Sequence, residues 1–306
     1  MNHSKAILLK LGSVLTFTLM SALIKATADE VPTGQQIFFR SFFAIPVILV
    51  WLALRHELGQ GLRPNSPIKH VYRGLVGTIA MGCMFGSLAY LPLPEATALN
   101  YAAPLLVVIF AAMFLAEDVR GFRLTSVLVG LIGVVIVLSP NFSTKAGAVT
   151  TAQMLGAVLA LAGAVGTALA QIFIRMMATE ERTAVIVFWF SVTSSVIGLM
   201  TLPWGWVVPG PKLLGLLILT GLLGGVAQIQ MTASYRYAPA SVVAPFEYAS
   251  MLVALIIGYF VFAEVPTPTM LIGAAIIIAA GIAIILRERH LGIERNRQRR
   301  AQTPPA

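Results

Sequence analysis

The sequence contains ten apolar runs, each close to the length needed to cross a lipid bilayer. A spanning helix needs about 20 apolar residues. Of the 306 residues, 58% are hydrophobic and only 11% are charged. Because backbone groups in hydrocarbon must be hydrogen-bonded within their own segment, each run is predicted to be a helix. The approximate bounds of the runs are 6–25, 36–54, 72–91, 96–115, 122–139, 152–174, 184–203, 213–234, 241–262 and 269–286.

The basic residues predict an orientation. With the N-terminus in the cytoplasm, 17 of the 21 Lys and Arg residues lie on the cytoplasmic side, while Lys25, Lys145 and Lys212 lie outside and Arg40 lies within a helix. The positive-inside rule therefore predicts a multi-pass protein of the bacterial inner membrane with both termini cytoplasmic. This distribution argues against a nucleic-acid partner, despite the net charge of +9.

An internal repeat appears when the sequence is shifted by 147 residues. Positions 90–117 then show eight identities in 28 aligned residues without a gap. Matches between aliphatic residues are common in membrane proteins, whereas matches of Tyr, Pro and Glu are not. The pairs are Tyr90 with Tyr237, Pro92 with Pro239, Tyr101 with Tyr248, Ala102 with Ala249, Leu105 with Leu252, Ile109 with Ile256 and Ala116-Glu117 with Ala263-Glu264.

The shift also aligns the first run with the sixth, so each half has five helices. An odd number makes the second half enter the membrane from the opposite side. The predicted fold is therefore an all-α integral membrane protein with ten transmembrane helices as two inverted five-helix repeats. The repeats cover 6–139 and 152–287, and a basic cytoplasmic tail covers 288–306. The first run also has features of a cleaved signal peptide, but the repeat uses it as a helix.

A family resemblance rests on the second run, Phe38-Phe39-Arg40-Ser41-Phe42, on Glu117 and Glu264 at the ends of the fourth and ninth runs, and on the glycines that follow them. With these features the chain resembles the EamA-type members of the drug/metabolite transporter superfamily over about residues 6–287. The resemblance implies a secondary transporter that moves a small metabolite by alternating access between the two halves, through a cavity lined by helices 2–4 and 7–9. The glycines are Gly130, Gly133, Gly273 and Gly281.

The substrate expected from the resemblance is riboflavin, taken up into the cell. The run from Phe38 to Pro46 and the segment Tyr101-Ala102-Ala103-Pro104 are similar to a proteobacterial branch that includes riboflavin importers. The alternatives are a proton-coupled exporter of amino acids or drugs, and a carrier of S-adenosylmethionine-type metabolites. A non-transporting scaffold and a membrane enzyme acting on lipid are the competing classes.

Ionisable residues inside helices are costly and commonly functional. Glu247 lies about six residues inside the ninth helix. We interpret it as a proton-coupling or substrate-binding carboxylate; the alternatives are a buried pair with Arg236 and a helix-end carboxylate that water reaches. Arg40 is either a donor to a substrate carbonyl, phosphate or carboxylate, or an arginine that reaches the interface. Glu117 is expected to cap the next helix or to pair with Arg120.

Uncharged residues complete the predicted substrate site. Asn100-Tyr101 and its repeat counterpart Glu247-Tyr248 are expected on opposite sides of one cavity. Tyrosine has a flat ring and one hydroxyl, which suit a ring substrate, although packing at an interface explains both tyrosines equally well. The aromatic group Phe188-Trp189-Phe190 could stack on a planar ligand, although half of it must face lipid or packing, and Trp189 is the member assigned to the site. Gln171 and Gln228 could line the cavity or bond to a neighbouring helix.

Enzyme motifs and cofactor motifs are missing from the sequence. There is no phosphate-binding Gly-x-x-x-x-Gly-Lys-Ser/Thr motif and no plausible Ser/His/Asp set. Cys83 is the single cysteine, and no histidine has metal-ligand spacing to a carboxylate. We predict no enzyme activity, no cofactor and no metal site. The sequence does not indicate an oligomeric state.

Overall fold

The chain folds into a bundle of helices. A computed structural model describes residues 3–56, 58–60, 62–115, 121–142, 151–177, 181–237 and 244–302. Its α-helices are α1 His3–Ala26, α2 Thr33–Phe42, α3 Ala44–Leu54, α4 Pro67–Leu88, α5 Leu93–Asn100, α6 Ala102–Leu115, α7 Gly121–Phe142, α8 Thr151–Met177, α9 Thr183–Met200, α10 Pro211–Tyr237, α11 Ala249–Phe262 and α12 Pro268–Gln302. Short 3-10 helices cover Leu58–Gln60 and Ala244–Tyr248. The predicted all-α class is confirmed for the described residues.

In the described part of the chain, seven helical segments are long and apolar enough to cross a membrane, and three shorter apolar helices accompany them. The three shorter helices are Leu124–Ser139, Ala184–Met200 and Phe246–Phe262. Each of the ten predicted runs coincides with one of these segments. The count of ten membrane crossings stays a prediction.

Two predicted runs are each divided into two helices, which corrects the expectation of one unbroken helix per run. The run 36–54 is interrupted at Phe43, between α2 and α3, and the run 96–115 is interrupted at Tyr101, between α5 and α6. A proline follows three residues after each break, Pro46 and Pro104. Proline has no backbone N–H, and its ring clashes with the carbonyl four residues before it, so the helix bends there.

The helices pack in pairs that join the two predicted halves. α1 packs against α10, α4 against α8, α2 against α9, α5 against α11 and α7 against α12. Under the 147-residue shift, the α1–α10 pair corresponds to the α8–α4 pair. This exchange of partners is what two related halves would produce, and the two-repeat organisation stays a prediction.

Small residues let the last helices of the two predicted halves approach closely. A Cβ atom built on Gly133 of α7 would lie 2.9 Å from the carbonyl oxygen of Gly273, and one built on Gly273 of α12 would lie 2.7 Å from the carbonyl oxygen of Gly133. No side chain fits at either position, so glycine permits the contact. Beyond this contact α12 continues to Gln302, so the predicted basic tail extends the last helix.

Candidate functional site

A cavity of about 350 Å³ lies in the middle of the bundle. It is lined by residues of α1, α2, α4, α5, α6, α8, α9, α10, the 3-10 helix before α11 and the start of α11. The sequence predicted a lining from the second to fourth and the seventh to ninth apolar runs only. In the structure these runs correspond to α2–α6, to α9 and α10, and to α11 with the 3-10 helix before it. The structure adds α1, through residues such as Lys10 and Ser13, and α8, through Thr167 and Gln171. α1 packs between α10 and α4, and α8 packs against α4, α5 and α6.

Six of the eight predicted site residues line this cavity. They are Arg40, Asn100, Tyr101, Gln171, Gln228 and Glu247. Tyr248 lies beside the cavity, with its ring against that of Tyr101. Trp189 lies away from it, because its indole Nε1 donates a hydrogen bond to the carbonyl of Leu62, 2.7 Å away, in the connection between α3 and α4. Its neighbour Phe190 is the aromatic residue of α9 that lines the cavity.

The two tyrosines paired by the sequence repeat contact each other directly. The ring centroids of Tyr101 and Tyr248 are 5.0 Å apart, with planes inclined at 71°. The Tyr101 hydroxyl is hydrogen-bonded to the Ser250 hydroxyl and donates to the carbonyl of Tyr248 at 3.4 Å. Tyr101 is 4% exposed and Tyr248 is 7% exposed. The predicted arrangement of two tyrosines on opposite walls is therefore replaced by an edge-to-face pair in one wall.

Glu247 forms an ion pair with a lysine of the first helix. Lys10 Nζ lies 3.2 Å from Glu247 Oε2, and the lysine side chain is 2% exposed whereas the glutamate side chain is 51% exposed. The sequence analysis did not name Lys10 as a partner. The side chain of Arg236, the predicted partner, lies outside the described part of the structure, so that pairing stays a prediction. The 3-10 turn that holds Glu247 places its carboxylate at the mouth of the cavity, on the face of the bundle that carries the N-terminus.

Arg40 lies in the last turn of α2, just before the bend at Phe43. The side chain is 6% exposed, so it does not extend to the membrane interface as one interpretation predicted. It runs past Gly224 of α10, where a Cβ atom would come within 3.2 Å of Arg40 Nε. Its guanidinium carbon lies 5.8 Å from the ring centroid of Phe190.

Arg73 is a cavity residue that the sequence analysis missed. It was counted among the cytoplasmic charges, yet it lies in the second turn of α4 and is only 9% exposed. Its guanidinium carbon is 4.2 Å from the ring centroid of Phe190, a cation–π contact. A side chain at Gly77, one turn along α4, would collide with both groups. The available signal was the position of Arg73 inside the predicted run 72–91, four residues before this glycine.

A network of hydrogen bonds centred on Lys25 lies at the end of the bundle opposite the N-terminus. Lys25 Nζ donates to the carbonyls of Leu88 (3.3 Å) and Leu91 (2.6 Å) and lies 2.9 Å from Glu264 Oε1. Glu264 Oε2 in turn accepts from the backbone N–H of Leu93, the first residue of α5. Both charged side chains are 15% exposed. The network therefore joins α1, the end of α4, the start of α5 and the segment after α11.

The last residues of α11 place Glu264 in this network. Ala263 adopts a left-handed conformation with φ of 54°, and the N–H of Glu264 donates to the carbonyl of Gly258 at 2.8 Å. The N–H of Ala263 donates to the same carbonyl, so the carbonyl of Gly258 accepts from both residues that follow the helix. A Cβ atom on Gly258 would lie 3.1 Å from Glu264 Oε2, so glycine leaves room for the carboxylate. Glu117, the repeat counterpart of Glu264, and Arg120 lie outside the described residues.

A second buried carboxylate lies on the face that carries the N-terminus. Glu181 Oε1 accepts hydrogen bonds from the backbone N–H groups of Asn65 (2.6 Å) and Ser66 (3.0 Å) and lies 3.2 Å from His70 Nε2. Burial by itself raises the pKa of Glu181. The amide hydrogen bonds and His70 outweigh it, so the pKa lies below its ordinary value.

Two segments of the chain match a sequence profile of the EamA-like transporter family, residues 4–139 and 154–287. Together they cover most of the chain. The chain belongs to the EamA-like transporter family. The predicted membership of the drug/metabolite transporter superfamily is confirmed, and the protein is a multi-pass membrane transporter of that superfamily.

Two kinds of named relatives of this EamA-like transporter carry different substrates. The pseudopaline exporter CntI of Pseudomonas aeruginosa is 29% identical over 279 residues, which is 91% of this chain and 95% of the relative. An S-adenosylmethionine uptake transporter of Rickettsia bellii is 28% identical over 277 residues, which is 90% of this chain and 92% of the relative. A solved crystal structure shares the fold with a TM-score of 0.66 at 21% identity, and the match covers 94% of this chain and 99% of that one.

Proposed function

We propose that this EamA-like transporter is a secondary transporter that moves a small charged metabolite through the central cavity by alternating access. The observation that carries the proposal is a cavity in the bundle whose largely apolar lining includes the charged side chains of Arg40, Arg73 and Glu247. A cavity near the middle of a helix bundle, lined by both predicted halves, suits this type of transport.

S-adenosylmethionine is the substrate that we propose first. It carries positive charges and a carboxylate, and the cavity offers charges of both signs, with Glu247 near the mouth and Arg40 and Arg73 deeper. The relative from Rickettsia supports this choice. Riboflavin, the substrate predicted from the resemblance, has no support from the relatives described here, and it is neutral, so it would leave the cavity charges without partners. The two kinds of relatives differ in direction, so uptake and efflux both need testing.

Proteoliposomes containing the purified full chain test this proposal. Radiolabelled S-adenosylmethionine should enter vesicles preloaded with the unlabelled compound, saturably and faster than in protein-free vesicles. Labelled riboflavin, measured in parallel, should stay at the protein-free rate. Riboflavin exchange without S-adenosylmethionine exchange would overturn the substrate assignment. Exchange of neither compound would also overturn the assignment to S-adenosylmethionine, and metabolites of other classes would then be tested in the same vesicles.

Glu247 is the residue that we propose for proton coupling. Its carboxylate is 51% exposed at the cavity mouth, where water can exchange protons with it. The variant Glu247→Gln should keep substrate exchange between equal pools but lose acceleration by an imposed pH gradient. Gradient-driven transport that persists in Glu247→Gln would remove Glu247 from this role. The alternative of proton-coupled amino-acid or drug export predicts the same loss with a different labelled substrate.

A further inference from the structure

Arg40 and Arg73 are buried, and each has at least one side-chain N–H group that bonds to none of the described residues. Arg40 Nε, Arg73 Nε and Arg73 Nη1 are buried without a hydrogen-bond partner among the described residues. A buried ion without partners is strongly unfavourable in a folded protein, and nearly all buried polar groups are paired. Both side chains line the central cavity, so a molecule in the cavity can reach them.

The ring of Phe190 contacts both guanidinium groups but cannot balance their positive charge. Phe190 contacts the guanidinium of Arg73 at 4.2 Å and that of Arg40 at 5.8 Å from its centroid. A ring face attracts a cation but offers no acceptor for a directed N–H bond. The space beside the ring is kept open by Gly77, because a larger residue there would meet both Arg73 and Phe190.

The charges that line the cavity are unbalanced. The lining contains three cations, Lys10, Arg40 and Arg73, and one carboxylate, Glu247. That carboxylate is already paired with Lys10 at 3.2 Å. Among the described residues, no carboxylate forms an ion pair with either arginine. An anionic group on a ligand would therefore complete the site.

We propose that Arg40 and Arg73 form a carboxylate-binding subsite for the transported metabolite, with Phe190 as a positioning residue. Guanidinium groups present planar forks of N–H donors that match the two oxygens of a carboxylate. This inference rests on the proposed transport function. It requires a substrate with a carboxylate and excludes metabolites without an anionic group, riboflavin included.

Anion binding to the purified full chain tests the subsite without knowledge of the substrate. The probes are acetate and its neutral isostere acetamide, titrated during thermal unfolding in detergent, with chloride holding the ionic strength constant. Ligands that bind the folded state alone raise the melting temperature. Acetate should raise it saturably by a few degrees, and acetamide should not. Equal shifts with both compounds would overturn the proposal.

The variants Arg40→Gln and Arg73→Gln locate the effect. Each should remove at least half of the acetate shift, whereas the matched control Arg63→Gln, in the exposed connection before α4, should keep it. Arg73→Lys retains the charge but loses the fork, and it should keep only part of the shift. A full acetate shift in both glutamine variants would overturn the proposal, and if a variant does not fold, the wild-type comparison of acetate with acetamide still decides. A negative result here leaves the vesicle exchange assay independent, so the two proposals fail separately.

Discussion

Two lysine–glutamate pairs connect the first helix to the ninth predicted span, one near each end of the bundle. Lys25 and Glu264 are each 15% exposed. Lys25 also donates to backbone carbonyls at and just after the end of α4, and Glu264 accepts from the first backbone N–H of α5. Lys10 is 2% exposed, whereas its partner Glu247 is 51% exposed. The same residue types therefore place a largely covered carboxylate at one end of the bundle and a water-accessible carboxylate at the other.

The difference between the pairs lies in what surrounds the carboxylate. Glu264 is enclosed because α11 ends in a left-handed turn that brings it against the start of α5. Glu247 sits on a 3-10 turn at the cavity mouth, where few groups cover it. Removing a carboxylate costs most where it leaves covered polar groups without a partner, and least where water can take its place. The two pairs should therefore respond differently to the same substitution.

The largest effect is expected for Glu264→Gln. Loss of the carboxylate leaves Lys25 partly buried with only carbonyl partners and weakens the bond to the Leu93 amide. We expect a loss of about 1–3 kcal/mol in the free energy of unfolding, measured as a lower melting temperature in detergent. A double-mutant cycle with Lys25→Met should show non-additivity. Additive losses would mean that the Lys25 and Glu264 side chains do not stabilise the fold through their interaction with each other.

Glu181 tests whether burial or location in the bundle sets the cost of losing a carboxylate. It lies on the same face of the bundle as Glu247, yet its side chain is buried. Glu181→Gln should cost about 1–2 kcal/mol at neutral pH through weaker bonds to the Asn65 and Ser66 amides. The folded-state pKa of Glu181 is lowered. Its contribution is therefore present above the unfolded pKa, about 4.3, and is lost as the pH falls through the folded pKa.

Melting temperatures of wild type and Glu181→Gln between neutral pH and about pH 3 measure this dependence. The two curves should converge at the acidic end, because a protonated Glu181 no longer accepts as a carboxylate. The matched control is Glu30→Gln at the other face, which is exposed and should shift the curve little. A constant offset between wild type and Glu181→Gln at every pH would contradict the assignment to the Glu181 carboxylate.

The smallest effect on stability is expected for Glu247→Gln, because water already solvates half of this side chain. The buried Lys10 loses its carboxylate, which keeps the expected cost at about 1 kcal/mol. The comparison with Glu264→Gln is made in the same detergent and at the same pH. A loss of unfolding free energy as large as that of Glu264→Gln would contradict the distinction between a covered and a water-accessible carboxylate. It would also mark Glu247 as a structural residue first and a coupling residue second.

The candidate site was partly predictable. Arg40 and Glu247 were found because an ionisable residue inside an apolar run is conspicuous in the sequence. Arg73 was missed because it lies near the end of a run, where the same residue type more often marks the cytoplasmic loop. Trp189, and not its neighbour Phe190, was chosen for the site from the aromatic group 188–190. Neighbouring residues of a helix point about 100° apart, and the sequence of α9 does not reveal which of them faces the centre.

The sequence by itself determined that this chain is helical, belongs in a membrane and is a member of the EamA-like transporter family. Those properties follow from apolar runs of about 20 residues and from residue types at fixed spacing, which are one-dimensional signals. Only the tertiary structure decided that Lys10 pairs with Glu247, that Lys25 pairs with Glu264 and that two arginines share one phenylalanine. Such contacts join residues far apart in the chain, and they depend on helix rotation and packing, which no local pattern encodes.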